Sequence, residues 1–360
     1  MEPISVISCL VAVVIMVAKA SGAPPALFIF GDSLVDSGNN NYLLTNARAD
    51  SAPNGIDYPT HLPTGRFSNG LNIPDFISEN LGAESVLPYL NPWLQGDALL
   101  RGANFASAGV GVLNDTGFQF AHIIKMPQQF NYFMEYKERV AGMIGLPATD
   151  SLVAGALVAI CLGANDYVNN YFLLPFSLRQ LHYSLDDYHA IVMLEYKKHL
   201  QKLYELGARK IMVMSVGPLG CAPSQRASRS ANGECHAGLQ KSAADFNSLL
   251  KSTLDELNSH FAIPVYTYAN SYAMNVDMMT FPEAYGFKTS RDACCGRGRF
   301  NGLAPCDHLA RCCPDRDNYV FWDAFHPTEK ASRIIAARFM NGPPSDMSPL
   351  NLKTMMQLDL

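Results

Sequence analysis

The sequence predicts an α/β fold built around a largely parallel sheet. Short, fully apolar runs recur along the chain, and helical patterns alternate with them, which is the signature of βαβ units. The chain is also long and apolar enough to cover such a sheet on both faces: 360 residues, 48% hydrophobic and 16% charged. Ala26 to Phe30 is an unbroken apolar run of the kind buried on both sides of a parallel sheet. Ala156 to Leu162 repeats it, Lys210 to Val216 is a third, and Pro264 to Tyr268 is a shorter, β-branched and aromatic candidate. Between them, Tyr188 to Leu206 carries apolar residues at helical spacing and stops at Gly207, a good residue for a helix end. Leu239 to Leu257 behaves alike, and Thr328 to Met340 is a last amphipathic helix with Pro327 suited to its first turn. No repeat, low-complexity tract or linker interrupts this pattern.

The expected organisation is a signal peptide over residues 1–22 followed by a single domain over 23–360. Ile4 to Val17 is nearly all apolar yet short for a bilayer span, and Ala18-Lys19-Ala20-Ser21-Gly22-Ala23 offers the small residues of a cleavage site. The basic n-region is missing, since Glu2 stands there. No later stretch reaches about 18 apolar residues, so no integral membrane segment is expected after signal removal. A net charge of −5, with acids and bases spread along the chain, leaves no footprint for nucleic acid.

Export also fits the cysteines. Cys9 lies in the leader, and Cys161 sits inside an apolar run as a small core residue. Cys221, Cys235, Cys294, Cys295, Cys306 and Cys313, with Cys312 beside the last, lie in Gly-, Pro- and Asn-rich loops, where disulfides are the natural reading in an oxidising compartment. Cys221 and Cys235 make a local pair, and the others staple the segment before Asp323. Six cysteines allow 15 connectivities, so the pairing stays open. Asn114-Asp115-Thr116 is a glycosylation sequon, with a bare loop turn as its plain alternative. No metal-ligand spacing, P-loop or complete dinucleotide fingerprint occurs, so neither metal nor cofactor is expected.

In open α/β sheets, function gathers beyond the carboxyl ends of the strands. The first strand runs straight into Gly31-Asp32-Ser33-Leu34, which places a serine as an exposed nucleophile. Gly163-Ala164-Asn165-Asp166 follows the second apolar run and presents a side-chain amide at the same edge. Asp323-Ala324-Phe325-His326 puts an acid three residues before a histidine, close enough to hold Nδ1 and leave Nε2 free as base. Ala103 to Gly109 suits a loop that exposes backbone N–H groups. Together these supply nucleophile, base, orienting acid and oxyanion donors for acyl transfer. Each alone has an ordinary reading as a turn or loop residue; their joint order carries the argument. Ser107 and Ser215, each two residues before a glycine, are rival nucleophiles that half-match the G-x-S-x-G elbow.

These blocks, Phe28 to Asn40, Gly102 to Gly109, Gly163 to Tyr167 and Asp323 to His326, resemble the plant GDSL esterase/lipases of the SGNH-hydrolase superfamily, from about Leu27 to Phe339. Pro63 to Gly70 and Tyr319 to Asp323 match the plant branch as well. The resemblance implies a flavodoxin-like αβα sandwich, with Ser33 as nucleophile, His326 as base and Asp323 orienting it. The implied oxyanion hole is the backbone N–H of Ser33 and Gly109 and the Asn165 side chain. Within the family, the chain looks closest to the cutin-synthase group, extracellular acyltransferases that join hydroxyacyl units from acylglycerols into the cuticle. That implies a secreted protein of the wall or cuticle acting on ester lipids, with plain hydrolysis or an inactive wall-binding protein as alternatives. The doublet Cys312–Cys313 departs from relatives with one cysteine there. An acceptor trough is expected from Asn41 to Leu44 and from Tyr167 and Tyr171 to Phe176.

Overall fold

A computed structural model describes residues 24–358; the expected signal peptide and Cys9 lie outside the described residues. Five parallel strands, β1 (Leu27–Gly31), β2 (Gly102–Asn104), β3 (Leu157–Cys161), β4 (Lys210–Met214) and β5 (Tyr266–Ala269), form the centre. Two small pairs follow in the chain, β6 (Thr289–Ala293) with β9 (Tyr319–Phe321) and β7 (Cys295–Gly296) with β8 (Arg311–Cys312). A last short strand, β10 (Met347–Ser348), closes one edge antiparallel to β5. The order across the sheet is β2-β1-β3-β4-β5-β10, so the direction of winding reverses between β1 and β3.

The apolar runs become strands because both faces are covered. In β1, Phe28 and Phe30 point into one core with α2 (Met126–Ile144), α4 (Leu185–Glu205) and α5 (Ala237–Asn258). Leu27 and Ile29 point into the other, with α1 (Ile73–Asn80), α6 (Ser271–Thr280) and α7 (Glu329–Asn341). The period of two along the strand divides its side chains between the layers, giving the αβα sandwich. A further helix, α3 (Leu146–Gly155), leads into β3.

The four expected strands are present, shifted by one or two residues at their ends. The run from Lys210 stops at Met214, because Gly217 and Pro218 turn the chain away. The helix expected from Tyr188 begins at Leu185, where the Ser184 side chain accepts the Asp187 N–H. The stretch expected to be only a loop around Ala103 starts as strand β2, three residues paired with β1. Its residues are too few and too small to show a period. Disulfide bridges join Cys221 to Cys235, Cys294 to Cys313 and Cys295 to Cys306, leaving Cys161 buried and Cys312 half-buried as free thiols.

Candidate active site

The site lies where the strand order reverses, beyond the carboxyl ends of β1 and β3. At the end of β1 the backbone of Gly31 has φ +135°, and a Cβ there would sit 2.2 Å from the Cys161 carbonyl oxygen. Only glycine lets the chain turn so close to β3. The Gln129 side chain from α2 clamps this point, accepting the Gly31 N–H at 3.0 Å and donating to its carbonyl at 2.9 Å. The turn that follows is one helical loop: the Asp36 N–H reaches the Asp32 carbonyl at 2.9 Å. Ser33 is the second residue of that loop.

Across the site, β9 delivers Trp322 and the segment Asp323 to His326. The Asp323 carboxylate accepts the N–H groups of Phe325 and His326, each at 2.8 Å, and both its oxygens lie 2.8 Å from His326 Nδ1. His326 Nε2 lies 2.8 Å from Ser33 Oγ. With the carboxylate as acceptor, Nδ1 carries the proton and Nε2 is free to accept the one on Oγ. Asp323 and His326 are buried. Phe67 packs on the imidazole at 4.8 Å between ring centres.

The third wall comes from β2 and the loop after it. Gly109 has φ +88°, and a Cβ there would meet the Phe120 ring at 2.4 Å, so this position also demands glycine. Two buried carboxylates knit the loop in place. Asp36 accepts the N–H of Gly38 and Asn39 at 2.7 and 2.8 Å and of Ala108 at 3.2 Å. Asp166 accepts Val112 N–H, Leu113 N–H and the Thr116 hydroxyl within 3.0 Å. Burial pushes each of them up to about 6, against the pull of those amides. Among the described residues, neither the Ser33 nor the Gly109 N–H finds an acceptor. Asn165 donates from Nδ2 to the Val110 carbonyl at 2.9 Å and accepts from Asn169 at 2.6 Å.

Ser33, Gly109, Asn165, Asp323 and His326 all line one cavity of about 410 Å³, whose walls are mainly apolar, with Leu34, Phe120, Val168, Met214 and Ile335 among them. Among the described residues, no group of three or more His, Cys, Asp or Glu side chains could hold a metal ion. The rival serines are placed otherwise. Ser107 is fully buried, its hydroxyl donating to Asn40 Oδ1 at 2.5 Å and accepting the Ile124 N–H. Ser215 lines the cavity, but its hydroxyl accepts the Tyr272 N–H. Neither lies against a histidine base like Ser33.

The expected acceptor trough is corrected. Residues 41–44 and 171–176 do not line the cavity; Asn46, Ala47, Arg48, Ala164, Asn165, Val168 and Asn169 do so instead. Tyr167 and Tyr171 are core residues, while Leu44, Leu174 and Phe176 face outward. Helical turning after Asn165 brings Val168 and Asn169 to the cavity and sends Tyr167 and Tyr171 into the core, which composition cannot reveal. Asn114 is exposed on the loop between β2 and α2. Sequence reasoning gave no role to Asn54, which lines the cavity and accepts the Trp322 indole N–H at 2.9 Å. Nor did it find the wall formed by Pro305 and Cys306, or the contact of Phe67 with His326. These side chains arrive from distant segments with no local signal.

Comparison with known proteins shows the family of the chain. A family model described as GDSL-like lipase/acylhydrolase matches residues 27–339. The chain is 55% identical to the GDSL esterase/lipase LTL1 of Arabidopsis thaliana over 93% of its own length and 91% of the relative. It is 54% identical to two more Arabidopsis thaliana proteins, the GDSL esterase/lipases At4g28780 and At5g18430, over 92% or more of each chain.

Proposed function

Because the chain belongs to the GDSL-like lipase/acylhydrolase family and is a hydrolase of ester bonds, we propose that Ser33 is its nucleophile, His326 its base and Asp323 the acid that orients the base. One observation carries this reading: the unbroken sequence of 2.8 Å contacts from Ser33 Oγ through the imidazole to Asp323, at the floor of an apolar cavity. Ser33 Oγ attacks the ester carbonyl as its proton passes to Nε2, and Asp323 stabilises the imidazolium. The oxyanion forms against the free N–H groups of Ser33 and Gly109 and the amide of Asn165. His326 returns the proton to the leaving alcohol, and the acyl group remains on Ser33. Water or a second alcohol then enters and attacks the acyl carbon as its proton passes to Nε2; Nε2 hands that proton to Ser33 Oγ as the acyl group leaves.

The finer reading is a secreted enzyme of ester lipids that passes acyl groups between alcohols, with hydroxyacylglycerols as donor and acceptor and cutin as product. Three bridges suit an oxidising compartment. The leader over 1–22, a single domain over 23–360, and a glycan on Asn114 belong to the same proposal. Transfer competes with bulk water only if the acceptor is bound in place, where effective molarity reaches about 10⁵ M or more. The cavity walls formed by Asn46 to Arg48 and Val168 to Asn169 are the place for it.

Titration with an organophosphonate ester tests the chemistry: Ser33 is labelled stoichiometrically, and Ser33→Ala is not. An unlabelled wild type would leave only a binding protein. Product analysis with a hydroxyacylglycerol as sole substrate tests the transfer. Ester-linked oligomers beside free acid are expected; free hydroxy acid and glycerol alone would reduce the protein to a plain esterase.

A further inference from the structure

We propose that Asp32 is a positioning residue that acts through Asn165: its carboxyl oxygen holds one N–H of the Asn165 amide before substrate binds and releases it to the developing oxyanion. The inference rests on the reading of Asn165 as an oxyanion donor.

The Asn165 amide has two N–H groups and one oxygen. Asn169 Nδ2 donates to that oxygen at 2.6 Å, which sets the amide the right way round. One N–H goes to the Val110 carbonyl at 2.9 Å. The remaining contact of Nδ2 is Asp32 Oδ2 at 3.4 Å. That is long for an N–H donating to a carboxylate, which ordinarily closes to about 2.7–2.9 Å. The N–H is therefore aimed but loosely held, and substrate oxygen can take it over at small cost. The other Asp32 oxygen is spent on structure, accepting the Leu34 N–H at 3.1 Å. Among the described residues, Oδ2 has no second side-chain or backbone donor. A buried carboxylate oxygen satisfied by one long bond is not a packing requirement.

The charge on Asp32 matters as well as its shape. A carboxylate beside a forming oxyanion opposes it, whereas the neutral acid does not. Asp32 is buried beside the nucleophile it precedes. Burial pushes its carboxyl up to about 7, while the Leu34 amide and the nearby His326 pull the other way. The other titratable groups facing it are Asp166 and Cys161 from the end of β3 and Tyr196 from α4. Both protonation states are thus populated near neutral pH. As pH rises through about 7 the ionised form grips the Asn165 N–H more strongly and repels the oxyanion, so turnover falls on the alkaline side. This limb is separate from the acid-side limb, on which the base must lose its proton.

The experiment is a pair of pH profiles and a double-mutant cycle on the intact protein, with a short nitrophenyl ester as probe. In Asp32→Asn the residue no longer titrates, and with its one oxygen kept on the Leu34 N–H it turns an NH2, not an acceptor, toward the Asn165 amide, so the hold is lost. Its kcat falls about tenfold with KM little changed, and the alkaline limb of kcat/KM disappears between about pH 6 and pH 9. In an Asn165→Ala background, where the amide is gone, Asp32→Asn changes kcat by less than about twofold. Profiles of the same shape in wild type and Asp32→Asn, or the same tenfold loss in both backgrounds, would overturn the proposal. Labelling of Ser33 by the organophosphonate confirms that each variant is folded. If Asn165→Ala itself costs nothing, the reading of Asn165 as donor fails; if it costs turnover and the cycle is additive, Asp32 alone is misassigned.

Discussion

Ser33 is half-buried, and what sets it apart from other serines is what surrounds its hydroxyl. Its proton has a route to His326 Nε2, and the far nitrogen of that ring is held by an acid that two backbone N–H groups already fix. Ser33→Ala and His326→Ala should each remove nearly all turnover of a nitrophenyl ester, with unfolding midpoints close to wild type. Asp323→Asn should cost about 10⁴ in kcat, because an amide can present its N–H to Nδ1 and force the proton onto Nε2. If Asn165 is the oxyanion donor proposed above, Asn165→Ala should cost about 10²–10³ in kcat. Should Ser107→Ala abolish activity while Ser33→Ala keeps it, the assignment is wrong.

At the scale of elements, the catalytic segments are held by pieces that never touch substrate. Arg66 makes a two-pronged ion pair with Asp75, both contacts at 2.7 Å, and donates to the Ser37 carbonyl in the nucleophile loop. Both side chains are buried; burial works against the Asp75 charge, but the Arg66 guanidinium outweighs it and keeps the carboxyl below its usual range. Arg66→Ala leaves an uncompensated buried charge and should lose about 3–5 kcal/mol in urea unfolding. The double replacement Arg66→Met with Asp75→Leu should recover most of that. The Cys295–Cys306 bridge serves the opposite wall: Cys306 lines the cavity, and the Cys295 N–H donates to the Trp322 carbonyl at 2.7 Å. Cys295→Ser with Cys306→Ser should lower stability by about 2–4 kcal/mol. It should also raise KM for long acyl esters more than for short ones, since the wall near Pro305 loosens.

At the scale of the whole molecule, buried carboxylates make stability depend on pH in a definite direction. Asp32, Asp36 and Asp166 are raised from an ordinary 3.8 to about 7, 6 and 6 by burial. A group raised in the folded state holds its proton more tightly there than in the unfolded chain. Its contribution is complete below 3.8 and is lost as pH rises through 6 to 7. Asp57, Asp75 and Asp115 are lowered, so their contribution is present above 3.8 and is lost on further acidification. Burial also lowers His189, His199 and His236, whose contribution is lost as pH falls below 6.5 and so runs the opposite way. The carboxyl part is therefore read as a difference: the Tm at about pH 8 minus that at about pH 5 should be more positive in Asp36→Asn than in wild type, and both should fall below about pH 4. An unchanged difference in Asp36→Asn would contradict this ordering.

Four of the five parallel strands and three of the helices were legible because their signal is local. A run such as Leu27 to Phe30, apolar at every position, can be buried only between two layers, and a helix such as 185–205 repeats its apolar face every turn. The order of Ser33, Asn165, Asp323 and His326 after those elements was legible too, as a set of turns following strands. Helices α1, α2, α3 and α6, strand β2, the small strands β6 to β9 and the edge strand β10 were not found. Their apolar positions are mixed with polar ones, or their length is two or three residues, so tertiary partners rather than period decide them. The cysteines show the same division. Their place in loops was plain, but the choice of Cys313 over Cys312 depends on which thiol faces Cys294 across a chain reversal.

The sequence by itself determined the layered α/β fold and pointed to Ser33, Asp323 and His326 as the residues to bring together, since period and residue type are properties of neighbours along the chain. Tertiary structure alone decided that Phe67 covers His326, that Asn54, Pro305 and Cys306 wall the cavity, and that the loops at 41–44 and 171–176 stay outside it. It also set the 3.4 Å between Asp32 and Asn165. Those facts are distances between segments far apart in the chain. They exist only after both cores have packed, because the free energy that fixes them comes from burial and hydrogen bonds shared across the fold rather than from any one stretch of residues.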